Sequence, residues 1–107
     1  MMLVTEAMRR TIPDLYKTEG LGDCAIVQAK FFDILTTWTW YVIEMGAPAE
    51  DDSQTYFFGM IHGHEDELSY FTLKDLQSLG RRIERDLDFS PITLGELRQA
   101  LDEGRTP

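Results

Sequence analysis

Residues 31–45 read FFDILTTWTWYVIEM, and the period of this stretch decides the fold. Phe31, Phe32, Trp38, Trp40 and Tyr41 crowd together here, with both tryptophans of the chain two positions apart. Trp38, Trp40 and Val42 alternate with Thr37, Thr39 and Tyr41. That two-residue repeat is the signature of a β-strand, whose successive side chains leave on opposite faces. The β-branched and aromatic content of residues 37–44 suits a pleated, half-buried surface. Two indoles on one face of a central strand predict core, each burying on the order of 200 Å². The competing role, an exposed stacking platform for nucleobases, needs positive charge for the phosphates. This stretch has no Lys or Arg.

Working outward, residues 25–32, AIVQAKFF, predict a strand with Val27, Ala29 and Phe31 on one face and Gln28 and Lys30 on the other. Residues 55–62, TYFFGMIH, predict another, with Gly59 marking a bulge or a close approach of a neighbouring backbone. The polar connection MGAPAEDDSQ separates it from the tryptophan strand, and the short spacing predicts an antiparallel meander. After Gly63, HEDELSYF reads as a loop with a short strand at Ser69–Phe71, and RIERDLDF as one more extended segment.

Three helices surround these strands. Thr5 caps the first, with Val4, Met8 and Ile12 on one side, and Pro13 ends it. Thr72 opens the second with Asp75 three positions on, Leu73, Leu76 and Leu79 inward and Gly80 as the stop. Thr93 and Glu96 make a capping box for the third, whose stripe is Leu94, Leu97 and Leu101 and whose stop is Gly104. The sequence therefore predicts an α+β fold in a single domain, residues 1–107. It is a small antiparallel sheet of three to five strands with short N-terminal, middle and C-terminal helices packed mainly on one face.

The totals fit this reading. The chain has 107 residues, which suits one domain, and 43% of them are hydrophobic, so a real core is expected. No apolar run approaches the roughly 20 residues that span a bilayer. The start, MMLVTEAMRR, lacks the basic-then-apolar pattern of a signal peptide, so a cytoplasmic location is expected. The single Cys24 agrees with that compartment. Asp23 beside it disfavours a thiolate, and Cys24 reads as a small buried residue.

Net charge is −9 and unevenly placed. Residues 1–30 balance, and residues 74–107 carry one excess acid. Residues 31–73 hold no Lys or Arg, only Asp33, Glu44, Glu50, Asp51, Asp52, Glu65, Asp66 and Glu67. Such a chain repels nucleic acid and anionic membranes and attracts basic partners. Arg85, flanked by Glu84 and Asp86, is placed to pair with central acids.

Signals for chemistry are weak. His62-Gly63-His64-Glu65-Asp66-Glu67 offers metal-ligand types, but spacing fixes no third ligand and there is no His-Glu-Xaa-Xaa-His helix. Acid–base carboxylate pairs need a defined separation and one raised pKa. Adjacent acids such as Asp51 and Asp52 predict neither. No Gly-rich phosphate loop follows a strand, since TEGLGDC precedes one. No catalytic residue, metal ligand or cofactor is assigned.

The motifs Pro13-Asp14-Leu15-Tyr16, Lys30-Phe31-Phe32, Trp38-Thr39-Trp40-Tyr41, Phe58-Gly59, Glu67-Leu68-Ser69-Tyr70-Phe71 and Glu84-Arg85-Asp86 together occupy most of residues 13–91. In these the chain resembles the bacterial family catalogued as domain of unknown function 2958. It departs at Ser69, where that family often has Gly, and in DILTT, where a Pro and Gly turn is commoner. The family has no established activity, so the resemblance implies setting rather than chemistry. Its proteins travel on phages, plasmids and integrative elements, where small acidic proteins often inhibit host defence. With the charge, this predicts a non-enzymatic inhibitor of anti-CRISPR or antirestriction type. It would bind a basic nucleic-acid-binding surface, such as that of a CRISPR effector or restriction enzyme. Asp51, Asp52, Glu65, Asp66 and Glu67 are the predicted contacts, with no direct nucleic acid or membrane partner. The alternatives are a small metal-dependent hydrolase built on His62 and His64, and an accessory domain that dimerises through a sheet edge or exposed aromatics.

Overall fold

The computed structural model describes residues 2–48 and 50–107. Met1, and Ala49 within the polar connection, lie outside them. The core is a five-stranded antiparallel sheet in which β2 (Ala29–Asp33), β3 (Thr39–Met45), β4 (Tyr56–His62) and β5 (Asp66–Thr72) form a meander. A short β6 (Ile83–Arg85) pairs with β2, so the order across the sheet is β5-β4-β3-β2-β6. A separate two-stranded ladder joins β1 (Ile26–Val27) to β7 (Ile92–Thr93). The expected α+β class is the observed one.

β3 sits at the centre and is buried along its whole length, because both faces of the sheet are covered. On the first face Ala29, Phe31, Trp40, Val42, Phe57 and Phe71 pack with Met8 and Ile12, from and just beyond α1 (Glu6–Thr11), and with Leu73 and Leu76 of α2 (Leu73–Gln77). On the second face Val27, Tyr41, Ile43 and Met60 pack with Leu94, Leu97 and Leu101 of α3 (Leu94–Asp102). Two of the three helices thus share a face and the third takes the other. Each large side chain at zero exposure, such as Phe31, Phe57 or Leu97, contributes about 1.5–3 kcal/mol by leaving water.

The caps form as expected. Thr5 accepts from Met8 N at 3.2 Å, and Thr72–Asp75 and Thr93–Glu96 both close as reciprocal capping boxes. Gly59 is a close-approach site: a Cβ there would stand 1.7 Å from the Tyr41 carbonyl oxygen. The register beside it jumps from Val42↔Gly59 to Glu44↔Phe58, so Ile43 and Glu44 both oppose Phe58 in a β-bulge.

Four details differ from the sequence expectation. The strand over 25–32 is broken at Gln28, whose N–H donates to Val42 O at 2.7 Å, so Val27 enters the second face while Ala29 and Phe31 enter the first. β5 runs over seven residues rather than three. α2 stops at Gln77, which leaves Leu79 outside its inward stripe and partly exposed. Cys24 is exposed in a 3-10 turn, not buried.

Candidate interaction surface

Two of the eight central acids are internal. Asp33 ends β2 with 5% exposure and receives Arg82 at three contacts of 2.7–3.0 Å. Leu35 N and Thr36 Oγ1 also donate to it, each at 2.9 Å. The Arg82 hydrogen bonds outweigh the cost of burial and hold the carboxyl well below the usual carboxylate range. This clamp, with Ile34 N donating to Arg82 O at 2.8 Å, brings β6 alongside β2. Glu44, turned by the bulge, is 2% exposed. It accepts from Tyr16 N and Thr18 N, both at 2.9 Å, and from the Thr18 hydroxyl. Its carboxylate thereby holds a turn in which Tyr16 has φ 70, a conformation rare for a residue with a side chain.

The other six acids are exposed, in two groups. Glu50, Asp51 and Asp52 precede β4, while Glu65, Asp66 and Glu67 form the turn after it and the start of β5. The seven residues of β4 separate the groups by roughly 20 Å, so the structure does not gather the five predicted contacts into one cluster. Asp51 accepts from Ser53 N at 2.9 Å and Ser53 Oγ at 2.7 Å, which lowers its pKa. Asp52 meets Arg9 at 3.4 Å, and Asp66 meets His62 Nδ1 at 2.5 Å. Arg85 does not reach the exposed central acids through the contacts of its Nη1, which donates to Met2 O at 2.7 Å and Leu3 O at 3.1 Å.

What connects the two acidic groups is β5. It pairs with β4 on one side and, among the described residues, with nothing on the other. The register and two flanking bonds, Gly63 N to Glu65 O at 3.1 Å and Leu73 N to Thr55 O at 3.0 Å, fix which backbone groups face outward. Gly63/Glu65 and Thr55/Leu73 both belong to the hydrogen-bonded set, so Glu67, Ser69 and Phe71 bond inward to β4. Asp66, Leu68, Tyr70 and Thr72 turn their N–H and C=O groups away from β4; the Tyr70 C=O also accepts from the Ser69 hydroxyl at 3.3 Å, and the Thr72 N–H is taken by Asp75 at 2.9 Å in the cap of α2. Their side chains share the second face, where Leu68 and Tyr70 are 37% and 46% exposed. Tyr70 packs against Phe58 at 5.0 Å and Tyr16 at 6.2 Å between ring centroids. Glu65–Glu67 lie at one end of this edge. At the other, the 52–54 turn packs on α2, and Lys74 acts electrostatically on Asp51. The sequence signal for this edge is the Leu68-Ser69-Tyr70 alternation.

The histidines diverge. His62 is engaged by Asp66, while His64 stands edge-on to Trp38 at 5.4 Å. Among the described residues no three His, Cys, Asp or Glu side chains come together to hold a metal ion. Trp40 is core, and half-buried Trp38 closes over the hairpin, where a Cβ on Gly63 would meet its ring at 2.5 Å. A cleft of about 590 Å³ opens between the N-terminal segment and α2, lined by Thr5, Arg9, Asp52, Gln77 and Arg81 among others. Arg9 Nη1 is buried without a hydrogen-bond partner among the described residues. No helix of the described residues is long and apolar enough to cross a membrane. Compared with protein-family models, curated proteins and solved structures, the chain matches none.

Proposed function

We propose that this chain is a non-enzymatic acidic interaction protein that engages a basic, nucleic-acid-binding surface of another protein. One observation carries the reading. With Asp33 and Glu44 committed to the interior, the other six acids of residues 31–73 are all exposed and flank a single open sheet edge, in a span without Lys or Arg. The mechanism is competition: carboxylates occupy Lys and Arg sites that otherwise hold phosphates. Association of this kind is fast and weakens with salt. The setting implied by the family resemblance makes the partner a host-defence effector of CRISPR or restriction type, which the protein inhibits on behalf of a phage, plasmid or integrative element.

The test is capture from a nuclease-treated bacterial lysate, followed by a gel-shift assay of the captured protein on its own nucleic acid. Wild type is compared with the variant carrying Asp51→Asn, Asp52→Asn, Glu65→Gln, Asp66→Asn and Glu67→Gln. Wild type is expected to displace the nucleic acid, and the neutralised variant to fail while keeping its circular dichroism spectrum. Equal displacement by a folded neutralised variant overturns the reading.

A further inference from the structure

Charge alone does not fix how a partner attaches. Resting on the proposed engagement of a basic surface, we infer that β5 is a strand-addition site, and that an extended basic segment of the partner pairs with its open edge.

Three observations converge on this. The first is backbone geometry: the N–H and C=O groups of Asp66, Leu68 and Tyr70 all point away from β4, and the open run ends at Thr72, whose N–H is taken by Asp75. A row of outward backbone groups with no strand beside it is a template for another strand. The opposite edge, β6, has only three residues. The second is the side chains. Leu68 and Tyr70 are the partly exposed apolar pair at the middle of the same edge, placed to meet alternate residues of an added strand. The third is charge, which selects the occupant. Glu65, Asp66 and Glu67 stand at the start of the strand, and Glu50, Asp51 and Asp52 beside its far end, with Lys74 offsetting part of the latter.

A second copy of this chain fits that edge poorly. Antiparallel pairing of two β5 strands about Ser69 would set the Glu65–Glu67 end of each against the far, acidic end of the other. Each copy also carries a net charge of −9. Like charges opposite one another destabilise a strand pair. The acids therefore both guard the edge against self-association and choose a cationic strand. Such a segment needs Lys or Arg near both of its ends and alternating apolar residues between them.

The test uses the full chain and two peptides of about nine residues, long enough to pair with all of β5. One alternates Lys and Val. The other has the same sequence with backbone N-methylation at two adjacent central positions, which blocks both of its edges and leaves its charge unchanged. Affinity is read by calorimetry, and amide hydrogen exchange by NMR. The expected result is protection of the Asp66, Leu68 and Tyr70 amides by the first peptide only, with about tenfold weaker binding of the second. Neutralising the five acids is expected to weaken the first peptide by a similar factor.

Equal binding of both peptides with no added protection of those three amides overturns the inference and leaves an acidic, sequence-tolerant surface. Absence of binding by the first peptide also overturns it, while the capture experiment decides the broader reading independently. Light scattering that shows a dimer whose Asp66, Leu68 and Tyr70 amides are already protected overturns it too, because the edge is then filled by a second copy.

Discussion

Tyr41 offers a sharp test of how tightly the second face is closed. It is the central side chain of that face at zero exposure, and its hydroxyl donates to Pro107 O at 3.1 Å. Burial, reinforced by the negative charges of Asp66 and Asp86, raises its pKa from 10.0 to about 12. The folded state therefore keeps a proton that the unfolded state releases. Stability from this group is fully present below pH 10 and is lost as pH rises toward 12. Two pH units correspond to about 2.7 kcal/mol. Partial screening of the phenol by solvent brings this to about 2 kcal/mol. At neutral pH Tyr41→Phe loses one hydrogen bond and is expected to be less stable by about 0.5–1 kcal/mol. Near pH 11 the order is expected to reverse, because the phenylalanine has no proton to hold. Urea titrations of both proteins at pH 8, 10 and 11 measure the difference directly. Absorbance at 295 nm shows whether one phenol ionises late. Tyr70, whose partial burial also raises its pKa, remains in the variant and serves as an internal control. A wild-type advantage that stays constant to pH 11, or four tyrosines ionising together near pH 10, refutes the reasoning.

Two further outcomes follow from other contacts. Gly59→Ala puts a Cβ 1.7 Å from the Tyr41 carbonyl, where backbone rather than a yielding side chain must move. It is expected to cost about 3 kcal/mol or more in urea denaturation, and a loss below 1 kcal/mol would show that the bulge relaxes freely. Asp33→Asn removes a carboxylate held below its ordinary range by Arg82. Wild-type stability from this group is present above its unfolded value and is lost as pH falls through its folded one. The variant is expected to be less stable at pH 7 and to show a flatter decline in melting temperature below pH 4; parallel acid profiles count against the clamp.

Local chemistry is what the sequence displays most legibly here. Thr5, Thr72 and Thr93 announce their helices because a cap and its N3 partner lie within four residues. Trp38, Trp40 and Val42 announce β3 because pleating repeats every two. The pairing of β6 with β2 is not legible, since it depends on Asp33 and Arg82, 49 positions apart. The break at Gln28 is equally hidden, because only tertiary pairing decides that Val27 turns to β7. β5 is half legible. Asp66 and Glu67 have low strand propensity and make its first turn look like loop, yet an edge strand tolerates them because one side faces water. The same logic governs the site. The acids are visible as residues, but which are interior and which surround an open edge is a property of the register.

That distinction separates charge count from charge placement. Glu44→Gln and Glu67→Gln each remove one negative charge from residues 31–73, so a partner that responds only to net charge will treat them alike. The structure says otherwise. Glu44 is buried beneath the 14–18 turn and accepts three hydrogen bonds there, whereas Glu67 stands exposed at the start of the open edge. A glutamine at 44 keeps one acceptor oxygen and puts an amide donor against backbone N–H groups. It is expected to lower stability by about 1–3 kcal/mol while leaving the Lys-Val peptide's affinity near wild type at temperatures where the variant is folded. Glutamine at 67 is expected to do the reverse, with an unchanged melting temperature and weaker, less salt-dependent binding. Calorimetric titrations at two salt concentrations, beside thermal melts, measure both effects. If the two variants weaken the peptide equally, the partner senses overall charge, and the edge has no privileged role.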